Sequence, residues 1–518
     1  VSETYSKFQE SLLDKNTFSV TWELVPGRGS FEAAQDVVMA SAEAAAKGGK
    51  VHALTITDNP GGNPAISAEM LGAEIMKLGI EPLVHFTCKD KNRNQLESLL
   101  YGMERANVRN LLVMTGDFTY SGYQGRSKPV FDMDASQLVG MTTALNKGLV
   151  VPTPKGSTTI KPTHFFAGAA VSPFKALESE QMGQYYKLKK KLEQGAQFIV
   201  TQLGYDIRKI HEALQMVKHL GYGHVPVIGN IYLLPLGAAR LMNRNGLPGC
   251  VVTNELVSVL AKEAEAEDKG KSMRLERAAK MYAFMKGMGF AGVHIGGHGM
   301  KYEEVEIILK RGEELAPKWM DLIPEFNFPQ PNGWYYFEKD PKTGLNTDKP
   351  VDRSKRPSSS LGYKMFRVLH HSMFEKSGFL FGPMKSFAKA IDGSALEHSF
   401  TRVEHFMKVI TNECLHCGDC ALFDTAYVCP TSQCPKSQRN GPCGGSYNGW
   451  CEIYEGKKQC IYVRAYPRLK SHGAEDTLGA YYVPPINFDL LWTSSWLNFY
   501  MGRDHTAKRL GVLPPEKK

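Results

Sequence analysis

The chain has 518 residues, 42% of them hydrophobic, enough to build a large domain with one or two smaller ones. No apolar run of about 18 residues occurs, so no membrane-spanning helix is expected. The net charge of +9 is modest and spread along the chain, so no nucleic-acid partner is expected either.

Val1–Thr4 hold no basic stretch leading into an apolar core, so no secretion signal is read there, and a cytoplasmic protein is expected. Short apolar runs then recur at Phe18–Val25, Val51–Thr57, Pro82–Cys88, Asn110–Gly116, His164–Val171, Gln197–Leu203, Pro226–Leu233 and Gly292–Gly297. Each has the length of a strand buried on both faces. Helix-length stretches separate them, such as Phe31–Lys47, with Ser30 as expected N-cap and Gly48-Gly49 as stop, and Glu178–Gln194. The run Lys187-Leu188-Lys189-Lys190-Lys191 within the latter reads as a solvated helix face. The fold class is therefore α/β: eight strands alternating with helices predict a (β/α)8 TIM barrel followed by a small cysteine-rich metal- or cluster-binding domain. A doubly wound sheet is the rival, but no strand leads into Gly-x-Gly-x-x-Gly.

From about Pro324 to Ser360 the alternation gives way to Pro, Gly, Lys, Asp and Ser, which reads as a long connection. Helical patterning resumes over Tyr363–Glu375 and Ala395–Ile410. The expected division is a barrel over 1–325, a linker with helices over 326–400, a cysteine-rich domain over 401–470 and an aromatic tail over 471–518. That tail is expected to pack on another surface, within the chain or on a second subunit. No internal repeat is present.

Barrel chemistry sits at the C-terminal ends of strands, which points to Glu23, Thr55, Thr57, Asp58, His85, Thr87, Thr115, Gly116, Asp117, Ser172, Gln202, Tyr205, Asn230, Tyr232, His294 and His298. Glu23 and Asp117 are carboxylates set in or just after apolar strands. Burial is expected to raise the pKa of Glu23 and suit it to proton donation; the competing reading is a structural ion pair. His85 fits a core histidine as well as a ligand contact. Lys191 and Arg240 are cations that would suit a phosphate, or ordinary helix-surface charges. Gly296-Gly297 between His294 and His298 argues against a helical metal pair.

Eight of the ten cysteines lie between Cys414 and Cys460: Cys414, Cys417, Cys420, Cys429, Cys434, Cys443, Cys451 and Cys460. Cys414-x2-Cys417-x2-Cys420 has the spacing of a ferredoxin triplet, and eight thiolates suffice for two [4Fe-4S] clusters. Two structural zinc sites need the same number, and disulfides are the weaker reading in a reducing compartment. Grouping beyond the first triplet does not follow from spacing.

In Val20-Thr21-Trp22-Glu23, Leu54-Thr55, His85-Phe86-Thr87-Cys88, Thr115-Gly116-Asp117, Lys191-Leu192-Glu193-Gln194-Gly195-Ala196 and Thr201-Gln202, taken in order, the first 300 residues resemble the methylenetetrahydrofolate reductase family of flavin-containing barrels. The resemblance implies Glu23 as general acid, Asp117 near pterin and flavin, Gln202 on the folate, and Thr55, His85, Thr115, Gly116 and Lys191 against the flavin. Asn440-Gly441-Pro442-Cys443-Gly444-Gly445, Trp450-Cys451-Glu452 and Cys460-Ile461-Tyr462 resemble the cysteine-rich domain fused to some bacterial and archaeal reductases, which is a separate partner subunit in acetogens. Departures from the family pattern fall at Ala169–Pro173, Gln184 and Thr115, which leaves FAD or FMN open.

The implied activity is flavin-dependent reduction of methylenetetrahydrofolate to methyltetrahydrofolate. Electrons would come through iron–sulfur clusters, from NAD(P)H, or from a redox protein docked on a zinc-bound module. A non-redox folate or methyl-transfer scaffold is the reading from another class. A tetrahydrofolate substrate and a homo-oligomer or multisubunit redox complex complete the expectations.

Overall fold

The computed structural model describes residues 6–326 and 328–514, so the reading of Val1–Thr4 lies outside it. Eight parallel strands close into a barrel: β1 (Ser19–Leu24), β2 (Ala53–Ile56), β3 (Glu81–Thr87), β4 (Asn110–Met114), β5 (Phe166–Val171), β6 (Phe198–Thr201), β7 (Val227–Tyr232) and β8 (Gly292–Gly296). Each strand pairs with its neighbours in sequence, and β8 returns to β1 with Thr21 opposite His294. All eight fall on the apolar runs, because strands covered by helices outside and side chains inside read as near-continuous hydrophobic stretches. Leu83, Leu112, Phe166, Phe198 and Ile228 fill the interior. Helix Lys7–Leu13 plugs the N-terminal end: Phe8 meets the rings of Phe166 and Phe198 at 6.0 and 5.8 Å, and Lys7 N–H donates to Glu81 at the start of β3 (2.8 Å). The C-terminal mouth is left for chemistry.

Several local expectations change. The second helix runs Ala33–Gly48 with Glu32, not Ser30, at its N-cap, and no side-chain oxygen caps it. The connection after 324 contains a hairpin, Phe337–Lys339 with Asn346–Pro350, anchored where Arg208 Nε donates to Asn346 Oδ1 (2.6 Å). Helices follow at Leu361–Phe374, Phe381–Ile391 and Ala395–Asn412; the middle one was missed by patterning. No helix among the described residues is long and apolar enough to cross a membrane.

The largest correction concerns the lysine run. Helix Glu178–Glu193 is not solvated: Lys187, Lys190 and Lys191 are only 2, 4 and 9% exposed. The cysteine-rich segment and its following helix, Ile461–Lys470, lie across it, with Tyr466 Oη donating to Glu178 (2.8 Å) and Pro442 packed on Gly183. Such a partner more than 250 residues away leaves no trace in local pattern. The aromatic tail packs within the chain. The Val483 carbonyl accepts from Gln137 and Asn440 (2.9 and 2.8 Å), and Leu497, Phe499 and Tyr500 join Ala388 and Ile391 in a separate core.

Candidate active site at the barrel mouth

Parallel pairing brings the ends of β1, β2, β3 and β8 together. Glu23 on β1 faces His294 on β8, Oε2 to Nε2 at 3.6 Å, and the other ring nitrogen of His294 lies 3.0 Å from Thr21 Oγ1 and 3.4 Å from Thr55 Oγ1. The Glu23 side chain remains 21% exposed, open to the mouth. Burial does push its pKa up, as expected, but His294, by hydrogen bonding and charge, outweighs it and leaves the carboxyl below its ordinary value. Glu23 is thus an ionised partner of histidine rather than a carboxylic acid isolated by burial. His85, 6.4 Å from His294 between ring centroids, is pushed down to about 4, mainly by burial, and is neutral near pH 7. Its Nε2 is buried with no hydrogen-bond partner.

On the next part of the rim, Asp117 is exposed and accepts from the Gly61 N–H (2.8 Å), which ties the loop after β4 to the loop after β2. Thr57 is buried with an unpartnered hydroxyl, and Asp58 is held by Thr87 and Lys91 (2.6 and 2.7 Å). Across the mouth, the Gln202 side chain accepts from the Leu203 N–H (2.8 Å). Lys191 donates to the Ala170 carbonyl (2.6 Å), and burial, with help from Lys187, pulls its pKa down to about 7. Arg240 is exposed on a separate helix. Sequence reasoning placed His294 at the mouth but missed its pairing with Glu23; their adjacency follows only once β8 closes on β1.

The cysteine-rich segment is seated on the rim at β4, β5 and β6. Lys436 Nζ donates to the Gly116 carbonyl (2.8 Å) and pairs with Glu452. Gln438 Oε1 accepts from Thr115 Oγ1 (3.2 Å) and Lys187 Nζ (2.5 Å). Asp134 takes the Asn440 N–H and side-chain amide (3.0 and 2.9 Å), and Lys175 Nζ donates to the carbonyls of Gly444 and Ser446 (2.5 and 2.6 Å). Gly441 and Gly444 have φ of 127° and 100°, and a Cβ on Gly441 would stand 2.6 Å from Lys187 Cβ, so the Asn-Gly-Pro-Cys-Gly-Gly turn needs glycine to reach the barrel.

All ten cysteines are free, and the eight clustered ones separate in chain order. Cys434, Cys443, Cys451 and Cys460 line a small cavity beside Lys436 and Glu452, next to the barrel. Cys414, Cys417 and Cys420 line a second with Glu404, His405, Lys408 and His416; Cys429 is near enough for its charge to raise the thiols of all three. Burial pushes Cys420 and Cys434 up to about 12. Thiols this averse to ionising become thiolates when a cation or cluster compensates their charge. Among the described residues no three His, Cys, Asp or Glu side chains converge closely enough for a single ion. Four thiols line the inner space and three line the outer one.

A (β/α)8 barrel with an acid–histidine pair at its mouth and an attached thiol-rich domain is the class of protein that these features define. The chain belongs to the methylenetetrahydrofolate reductase family, which it matches over residues 7–311, and residues 394–489 match the family described as the methylene-tetrahydrofolate reductase C terminal. No curated protein matches it. A solved structure described as an uncharacterized protein from Clostridium thermocellum that binds two copies of 5-methyl-5,6,7,8-tetrahydrofolic acid is similar over 60% of this chain and 99% of its own. Its 10% identity and TM-score of 0.39 make that likeness too distant to bear on function.

Proposed function

We propose that this chain reduces methylenetetrahydrofolate to methyltetrahydrofolate on a flavin held in the barrel mouth, with electrons delivered through the cysteine-rich domain. The observation that carries the reading is the Glu23–His294 pair, partly exposed at the mouth of a barrel of this family. Opening the imidazolidine ring of the substrate releases N10, which needs a proton, and leaves an iminium carbon that needs a hydride. Glu23 delivers the proton, drawn from the acid–histidine pair and not from a carboxyl kept neutral by burial. Asp117, exposed on the rim, accepts from the guanidine-like edge of the pterin and offsets the cation as it forms. Gln202, on the opposite side, sets the orientation of the folate. Bound flavin supplies the hydride. The residues present suit it: neutral His85 and Thr57 offer buried polar atoms without protein partners.

The inner tetrad supports the electron route, because Lys436 on the wall of its cavity also bonds Gly116 on the rim. Eight thiols in one segment, three of them at ferredoxin-triplet spacing, favour [4Fe-4S] clusters over single zinc ions. Anaerobically purified protein is expected to contain iron and show flavin bands over a broad shoulder near ~400 nm. Zinc without iron would remove the electron route. Glu23→Gln is expected to abolish folate reduction while flavin stays bound and reducible; unchanged turnover would take the acid role from Glu23.

A further inference from the structure

We propose that helix Ala395–Asn412 is the seam along which two copies of this chain pair, its outward face lying against the same face of the second copy. This pairing is independent of the flavin and cluster readings. The helix is apolar on the wrong side for a monomer. Its buried residues are Thr401, Glu404 and Asn412, and Glu404 bonds Lys408 (2.9 Å) and Ser495 (2.7 Å). Phe400 adds an apolar anchor, edge-on to Phe387 and Trp496 (5.5 and 6.0 Å). Leu396, Val403, Phe406, Met407, Val409 and Ile410 face away from the chain and stay between 42 and 69% exposed. A surface helix ordinarily turns its apolar stripe to the core. Here polar bonds largely seat the helix, and the stripe is left over.

The stripe has the order of a coiled-coil seam. Leu396, Ser399, Val403, Phe406 and Ile410 recur at alternating steps of three and four residues, and Met407 and Val409 flank them. The six exposed apolar side chains present on the order of 700 Å², more than the ~600 Å² of the largest patch on a typical monomer. With a polar rim that reaches the ~800 Å² that each partner buries in a stable complex. The chemistry of the face selects the partner. No acidic or basic residue takes a seam position, so nothing there steers or registers a charged carrier protein. Electron carriers that come and go use small contacts and would leave this surface bare in water between visits. A second copy is a permanent partner of matching shape. Running antiparallel, it sets each copy's Phe406 over the other's smaller Val403, and the two-fold arrangement closes at two chains.

The test is sedimentation equilibrium on the full chain, which at micromolar concentration is expected to be a dimer. Val403→Glu and Phe406→Glu are each expected to weaken pairing by at least about a hundredfold, since each sets an unpaired charge in the apolar seam. Phe406→Ala, which adds no charge, should weaken it by about tenfold. All three change residues that face solvent in the single chain, so circular dichroism should be unchanged. Val37→Glu, at a similarly exposed residue on helix Ala33–Gly48, should leave the dimer intact. A monomeric parent chain, or a dimer that survives the seam variants, overturns the proposal. Equal loss of the dimer in Val37→Glu overturns it as well. A monomeric parent chain that binds an acidic [4Fe-4S] ferredoxin, and loses it with Phe406→Glu, also overturns it and assigns the face to an electron carrier.

Discussion

At Glu23 two effects of similar kind act in opposite directions. Burial alone would hold the carboxyl protonated, and that was the expectation from an acid inside an apolar strand. His294, brought alongside by barrel closure, reverses the sign. The reversal is testable at this one contact. His294→Phe removes the two interactions that lower the carboxyl, so burial should prevail and the Glu23 pKa should rise. The alkaline limb of the pH profile for folate reduction, where the proton donor is lost, would then move to higher pH, while the affinity for flavin would change little. A profile that does not move would mean that His294 is not what holds the carboxyl down. The identity of Glu23 as a candidate was legible because a carboxylate in Val20–Val25 has no structural excuse; its protonation state was not, because its partner lies more than 270 residues further on.

Among the elements, helix Ala395–Asn412 shows how a buried ion pair can be tied to a cysteine group. Glu404 and Lys408, one turn apart on its inner strip, bond each other at 2.9 Å. Glu404 also accepts from Ser494 and Ser495, and Lys408 Nζ lies 3.8 Å from Cys420 Sγ. Removing one partner strands the other charge in the interior. Lys408→Met should therefore cost about 3–5 kcal/mol, and the double variant Lys408→Met with Glu404→Leu should recover part of that loss. Denaturant titration of the single and double variants measures the coupling, and simple additivity would show the pair to be independent. The element-level reading of the sequence was uneven for a physical reason. Buried parallel strands announce themselves by composition, so all eight were found. The start of helix Ala33–Gly48 rests on backbone geometry at Glu32, and the hairpin over Phe337–Pro350 is held by Arg208 from another helix, so neither had a local signal. The buried lysines of helix Glu178–Glu193 are the extreme case, since their covering layer is the cysteine-rich segment itself.

For the molecule as a whole, the buried histidines set a direction for acid sensitivity. His85, His211 and His370 are each pushed down to about 4, in every case chiefly by burial. Between pH 6.5 and about 4 the unfolded chain takes up protons that these rings refuse in the fold, so stability falls as pH falls through that window. Asp424, drawn down to about 2 by His505 and Arg509 against the effect of burial, adds stability above its ordinary value that is lost only at lower pH. Asp504, held up to about 6 by burial, works the other way: its cost is full above that value and disappears towards 3.8. His505, raised by Asp419 and Asp424 against the effect of burial, contributes fully below 6.5 and loses its contribution only as pH rises through its elevated value, so it adds no slope in the acid window. Three histidines against one aspartate leave a net loss on acidification. The melting temperature should therefore drop between pH 6.5 and 5 in scanning calorimetry. His370 stacks on Phe423 at 4.2 Å and lines neither cysteine cavity, so His370→Phe should keep the packing and make that drop shallower. A melting temperature flat over the same interval, in both the parent chain and the variant, would mean that these rings are open to protonation in the fold.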